Sequence, residues 1–209
     1  MPRPKTAFEA WQALKMGNAN FVLGTPNHPR QGVHVRKNIV NKQKPFAAVF
    51  GCSDSRLAAE MIFDVGLGDL FVVRNAGQVM ADTILGSLEF AVEVLNVPLI
   101  LVLGHDDCGA VRETMNAAQG ELKVQGKFIK NLVARILPTI ERGILEGETS
   151  IDELTIRHVR DTIAEMLDTS EVISNAIKTG KLAVVGANYK LELGDIQPIV
   201  VHGNIQSSK

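Results

Sequence analysis

Apolar positions along the chain follow two rhythms. Short, mostly apolar runs rich in valine, isoleucine and leucine occur at Pro45 to Phe50, Leu70 to Val73, Leu99 to Leu103, Leu182 to Ala187 and Ile196 to Val201. Turn-forming residues bound them, and such runs predict β-strands. Between them, apolar residues recur every three or four positions, the spacing of one helix face. Ile84, Leu88, Ala91 and Leu95 mark a helix over Asp82 to Leu95. Leu132, Val133, Ile136 and Leu137 mark another over Ile129 to Arg142, which Pro138 is expected to interrupt. Ser150 to Leu167 and Ser170 to Thr179 read as two more, the second stopping at Gly180. Glu60 to Val65 predicts a short connecting helix, and Gly109-Ala110-Val111 the start of one after the third strand. At the amino end Thr6 and Glu9 have the form of a capping box. Phe8, Trp11 and Leu14 then recur at helical spacing, so a helix is expected to run to Gly17 or Gly24 with this aromatic stripe as a packing face.

Strands alternating with helices imply an α/β fold: a mostly parallel central β-sheet of about four parallel strands plus an edge strand, flanked by helices. An N-terminal helical arm (1–42) precedes an α/β core (43–209), the whole reading as a single domain over 1–209. Open parallel sheets bind ligands beyond the carboxyl ends of their strands, where strand order reverses.

Charge narrows the function classes. Twenty-two basic residues against 23 acidic ones leave a net charge of -1, and no basic tract is interleaved with aromatics, which argues against nucleic acid as a partner. No apolar run approaches the length of a membrane span. The basic Met1 to Lys5 segment leads into an amphipathic stretch and not an apolar core, so no signal peptide is read and a cytoplasmic protein is expected. In a reducing compartment, two cysteines point to metal binding before a disulfide.

Those cysteines carry the candidate chemistry. Gly51-Cys52-Ser53-Asp54-Ser55-Arg56 follows the first strand, and His105-Asp106-Asp107-Cys108 follows the third. Cys52, His105 and Cys108 are the donor set a soft ion such as zinc prefers, and three protein ligands leave one position for water, as in catalytic zinc sites. A bound divalent cation makes hydroxide available near neutral pH. The helix beginning at Gly109 would place positive potential near the site and help keep Cys108 deprotonated. Asp54 beside Arg56 would have its charged form favoured. The plainer readings are that both cysteines are buried small hydrophobes and that Asp54 with Arg56 is an ordinary surface ion pair. His28 and His34 read as surface residues, and His158, among charged neighbours, as solvated or partner-facing.

Cys-Ser-Asp-Ser-Arg at 52 to 56 and His-Asp-Asp-Cys at 105 to 108, joined by the Gly68 to Gly77 segment, closely resemble the β-class carbonic anhydrases. The resemblance implies Zn2+ on Cys52, His105 and Cys108, and reversible hydration of carbon dioxide to bicarbonate and a proton. It implies that Asp54, held by Arg56, orients the nucleophile or swings in as a fourth ligand. It assigns Gln43 to a hydrogen bond with bicarbonate, and Phe71 and Phe90 to the carbon dioxide pocket, all three from a neighbouring subunit, with the N-terminal arm lying across the partner. A homodimer or dimer of dimers is therefore expected. Val49 stands where one branch carries a tryptophan used, with Arg74, for regulatory bicarbonate, so no such site is expected. A carbon disulfide or carbonyl sulfide hydrolase, or a non-catalytic zinc-clamped binding domain, would use the same ligands.

Overall fold

The computed structural model describes residues 3–121 and 124–206. Five strands, β1 (Ala47–Cys52), β2 (Leu70–Asn75), β3 (Leu99–His105), β4 (Ala183–Tyr189) and β5 (Ile196–His202), form one sheet in the order β2-β1-β3-β4-β5. The first four are mutually parallel and β5 pairs antiparallel with β4, as the alternation of strand and helix predicts. Strands β1, β3 and β4 are buried at every position, which explains their unbroken apolar runs. Pro198 is tolerated in β5 because an edge strand has backbone groups with no ladder partner.

Alternate residues of each strand feed two apolar layers. Val49, Leu101 and Val185 face one side, where they meet Trp11, Leu14, Ile62 and Phe63. Ala48, Phe50, Ile100 and Val102 face the other, against Leu88, Val159, Ile163 and Ile173. The first layer is covered by α1 (Ala7–Val22) and α3 (Ala59–Ile62), the second by α4 (Asp82–Glu93), α7 (Ile151–Thr169) and α8 (Glu171–Lys178). Helices α5 (Gly109–Ala118) and α6 (Lys127–Leu145) lie towards the carboxyl ends of the strands, and α2 (Val33–Asn38) is a short exposed turn of helix. Among the described residues, no helix is long and apolar enough to cross a membrane.

Two local expectations differ from the structure. Strands β1 and β3 continue two residues past the end of their apolar runs, because the backbone ladder carries on where side-chain hydrophobicity stops. Helix α6 runs unbroken through Pro138. Pro138 and Ala134, whose carbonyl it leaves free, are both outside the buried face, while Val133, Ile136 and Ile140 anchor the opposite side. The aromatic stripe of α1 is a packing face, as expected: Trp11 and Leu14 are buried against the Phe63 layer. Position 17 inside α1 is glycine because any Cβ there would sit 1.7 Å from the Phe63 carbonyl oxygen.

Candidate metal centre

Cys52 ends β1 and His105 ends β3, its parallel neighbour. The chain leaves β1 towards β2 on one side and returns to β3 on the other, so both residues stand at the crevice where strand order reverses. Cys108 is the residue from which α5 starts. The two sulfurs and an imidazole nitrogen lie within 4.8 Å of one another, and all three residues are buried. Val79, Val111, Ile136, Ile140 and Leu154 pack around the cysteines as a third apolar cluster.

The donors are set for a cation. His105 Nδ1 lies 2.8 Å from the Asp106 carbonyl oxygen, to which it donates, and the Asp106 carboxylate accepts from the Leu191 N–H at 2.9 Å. This tautomer turns the lone pair of Nε2 into the triad, where Nε2 is buried without a hydrogen-bond partner. The hydrogen bond from Cys108 holds the Cys52 thiol well below its ordinary value against the opposing effect of burial, with help from His105 and from the backbone N–H groups of Gly77 and Asp54. The Gly77 N–H stands 3.4 Å from Cys52 Sγ. Cys108 is pushed up by its hydrogen bond to Cys52, by burial and by the Cys52 charge. The amides of Val111 and Ala110 at the start of α5 act in the expected direction and are outweighed. The helix terminus alone therefore does not keep Cys108 deprotonated; a cation held between the sulfurs would. Two sulfurs and an unpartnered imidazole nitrogen, desolvated together, fit zinc.

Asp54 is turned away from the ligands. Its carboxylate accepts from Arg56 Nε at 2.9 Å, Arg56 Nη2 at 2.7 Å and the Arg56 backbone N–H at 2.9 Å. That fork holds Asp54 far below the usual carboxylate range, against the opposing effect of burial. Asp54 Oδ2 remains 3.9 Å from His105 Nε2. On its outer side Arg56 reaches Asp107 at 3.6 Å, and Asp107 is paired with Arg112. Arg74 donates to the carbonyls of Cys52 at 2.9 Å and Asp54 at 2.7 Å, so its guanidinium braces the loop between ligand and carboxylate.

The carbonic anhydrase family model matches residues 47–196. Over 185 residues the chain is 50% identical to carbonic anhydrase 2 of Mycobacterium tuberculosis, covering 88% of this chain and 89% of that one. It is 48% identical over 188 residues to the carbonic anhydrase of Mycolicibacterium smegmatis, covering 90% and 91%. Among solved structures, the β-carbonic anhydrase CafA of Aspergillus fumigatus aligns with a TM-score of 0.68 at 25% identity, covering 90% of this chain and 89% of that one. The chain belongs to the β-class carbonic anhydrases. Cys52, His105 and Cys108 are the zinc site of this carbonic anhydrase.

Within one carbonic anhydrase chain, the remaining expected residues do not reach the zinc ligands. Gln43 lies in the exposed loop before β1. The length of β1, roughly 17 Å at about 3.3 Å per residue, separates it from Cys52. Phe71 pairs across the ladder with Ala48, near the amino end of β1, and packs against the second apolar layer, its ring 6.1 Å from that of Phe90. Phe90 is 42% exposed on α4.

His28 and His34 are exposed as expected, but His158 is buried, with Nε2 2.7 Å from the Gly77 carbonyl oxygen. It lies on the inner face of α7 with Leu154, Thr155 and Thr162. Its charged neighbours Arg157 and Arg160 suggest an outward face, whereas the four-residue spacing to Leu154 and Thr162 is the signal for an inward one. Nothing in the sequence pattern points to Gly77 as a donor to Cys52.

Proposed function

We propose that this carbonic anhydrase interconverts carbon dioxide and bicarbonate at the zinc site, with Asp54 and Arg56 governing the fourth position. The observation that carries this reading is an arrangement with three protein ligands and the nearest carboxylate fully engaged elsewhere, the pattern of an open site. When bound, zinc supplies water acidic enough to give hydroxide near neutral pH. Asp54, kept ionised by Arg56, offers an acceptor beside that position and orients the nucleophile. Arg74 fixes the loop that carries Asp54, and the apolar cluster around the cysteines limits competing water. Release of Asp54 from Arg56 would make its carboxylate a fourth ligand and close the site. A permanently closed zinc clamp would need that fourth protein ligand at all times, which the Asp54–Arg56 fork opposes.

The same proposal assigns Gln43, Phe71 and Phe90 to the active site of a second subunit, where Gln43 donates a neutral hydrogen bond to a developing oxyanion and the two rings line an apolar pocket. Supporting it, β2 is an edge of the sheet, and Phe90, whose ring lies 6.1 Å from that of Phe71 on β2, is 42% exposed. The catalytic unit is then a homodimer, alone or paired into a dimer of dimers, working in the cytoplasm where the cysteines stay reduced. Cys52→Ser and His105→Ala should each lose zinc and stopped-flow carbon dioxide hydration together. Hydration surviving in a metal-free variant would overturn the mechanism, and faster turnover of carbonyl sulfide than of carbon dioxide by the parent would overturn the substrate.

A further inference from the structure

We propose that His158 is a positioning residue for the zinc thiolate of Cys52, acting through the two peptides that flank Gly77. Its imidazole Nε2–H donates to the Gly77 carbonyl at 2.7 Å across 81 residues of sequence, and the Gly77 N–H points at Cys52 Sγ at 3.4 Å. One residue thus receives a hydrogen bond from α7 and passes one to the ligand. Burial lowers the His158 pKa, so the ring is neutral at working pH.

The turn between them has little freedom. Gly77 sits at φ +72°, a left-handed conformation, and a Cβ there would lie 2.7 Å from Ala110 Cβ and 3.0 Å from Ile136 Cδ1. The turn is therefore wedged against α5 and α6. Asn75 closes it from the other side: its side chain donates to the Val79 carbonyl at 2.7 Å and accepts the Val79 N–H at 2.8 Å. What remains to be fixed is the tilt of the Gly77 peptides, which His158 supplies from a rigid support. Next to it on α7, Arg157 is held by Glu146 and Glu148, and Val159 packs over Gly104. An N–H aimed at a ligating thiolate fixes the sulfur lone pairs and draws off charge, and loss of such an outer partner lowers metal affinity.

The inference needs the zinc site alone, and carbon dioxide turnover enters neither readout. His158→Leu removes the donor at similar volume. Its zinc dissociation constant, measured by competition with a chromophoric chelator, should rise by about 10–100-fold. The sulfur-to-metal charge-transfer band of the cobalt-substituted protein should shift with it. His158→Gln and His158→Asn restore an N–H donor on stems of different length, and at least one should recover both affinity and band. Unchanged affinity and band in His158→Leu would overturn the proposal, as would equal loss in all three variants, which would mark the site as packing only. Should His158→Leu fail to fold, the parent loaded with NMR-active cadmium decides. Scalar coupling between the metal and the Gly77 amide proton supports the proposal, and its absence refutes it.

Discussion

Gly104 ties the seating of α7 on the sheet to the zinc site. It precedes the ligand His105 on β3, and an added Cβ would lie 2.6 Å from Val159 Cγ2, 3.3 Å from Thr155 Cγ2 and 3.5 Å from Asn188 Oδ1. Gly186 on β4 makes the same accommodation, its Cβ falling 2.9 Å from Val159 Cγ1 and 2.7 Å from Ile163 Cδ1. Helix α7 therefore lies in a trough made by two absent side chains. Carbon atoms rest about 3.5–4.0 Å apart, so Gly104→Ala must push α7 outward by about 1 Å or bend β3. Helix α7 is held by its Ser150–Glu153 capping box and by Arg157, so it yields little. Overpacking of this kind costs about 1–3 kcal/mol. At about 2–4 °C per kcal/mol for a domain of this size, the melting temperature of the zinc-loaded protein should fall by about 2–12 °C. Zinc affinity should fall as well, because His105 is the next residue. Val159→Ala removes the methyl that is struck and, though destabilising alone, should offset Gly104→Ala with a coupling of about 1–2 kcal/mol in a double-mutant cycle. A melting temperature unchanged in Gly104→Ala, or simple additivity in the double variant, would refute this account of how α7 seats on the sheet.

Asp64 offers a test by pH. It is 8% exposed and accepts from the backbone N–H groups of Asn27 and His28, both at 2.8 Å, and from the side chains of Asn20 and Asn27, both at 3.1 Å. Burial alone would raise its pKa, but these bonds outweigh it and leave the carboxyl below its ordinary value. Its stabilisation is therefore present above the unfolded value of about 3.9 and is lost as pH falls through the folded value. Asp64→Asn should cost about 1–3 kcal/mol at neutral pH in urea melts, with the gap to the parent closing in strong acid; a gap that widens on acidification contradicts it. Phe90→Glu should yield monomers by sedimentation velocity and depress hydration while leaving zinc content intact; a parent that is fully active as a monomer would refute the shared active site.

Much of the sheet is legible in the residue order, because β1, β3 and β4 are buried on both faces and only unbroken apolar runs can fill such positions. The ligands are legible for a related reason: cysteine and histidine at the ends of two such runs have few structural uses, and strand ends converge in a parallel sheet. Pro138 misleads because a local rule about proline ignores which face meets water, and α6 is held by its opposite face. His158 misleads because its charged neighbours mask a helical spacing that places it inward. Gln43, Phe71 and Phe90 lie away from the zinc ligands of their own chain, a separation no spacing along the sequence expresses.

By itself, then, the sequence determined the alternation of strand and helix, the identity of the zinc donors and the carboxylate beside them, since each depends on residue type and near-neighbour order. Tertiary structure alone decided that His105 Nε2 is left without a partner, that Asp54 turns to Arg56, and that His158 meets Gly77. Those outcomes depend on which groups lose water together and which lone pair is left facing which proton. That is a property of segments far apart in the chain brought within a few ångströms, and pattern along the chain does not encode it directly.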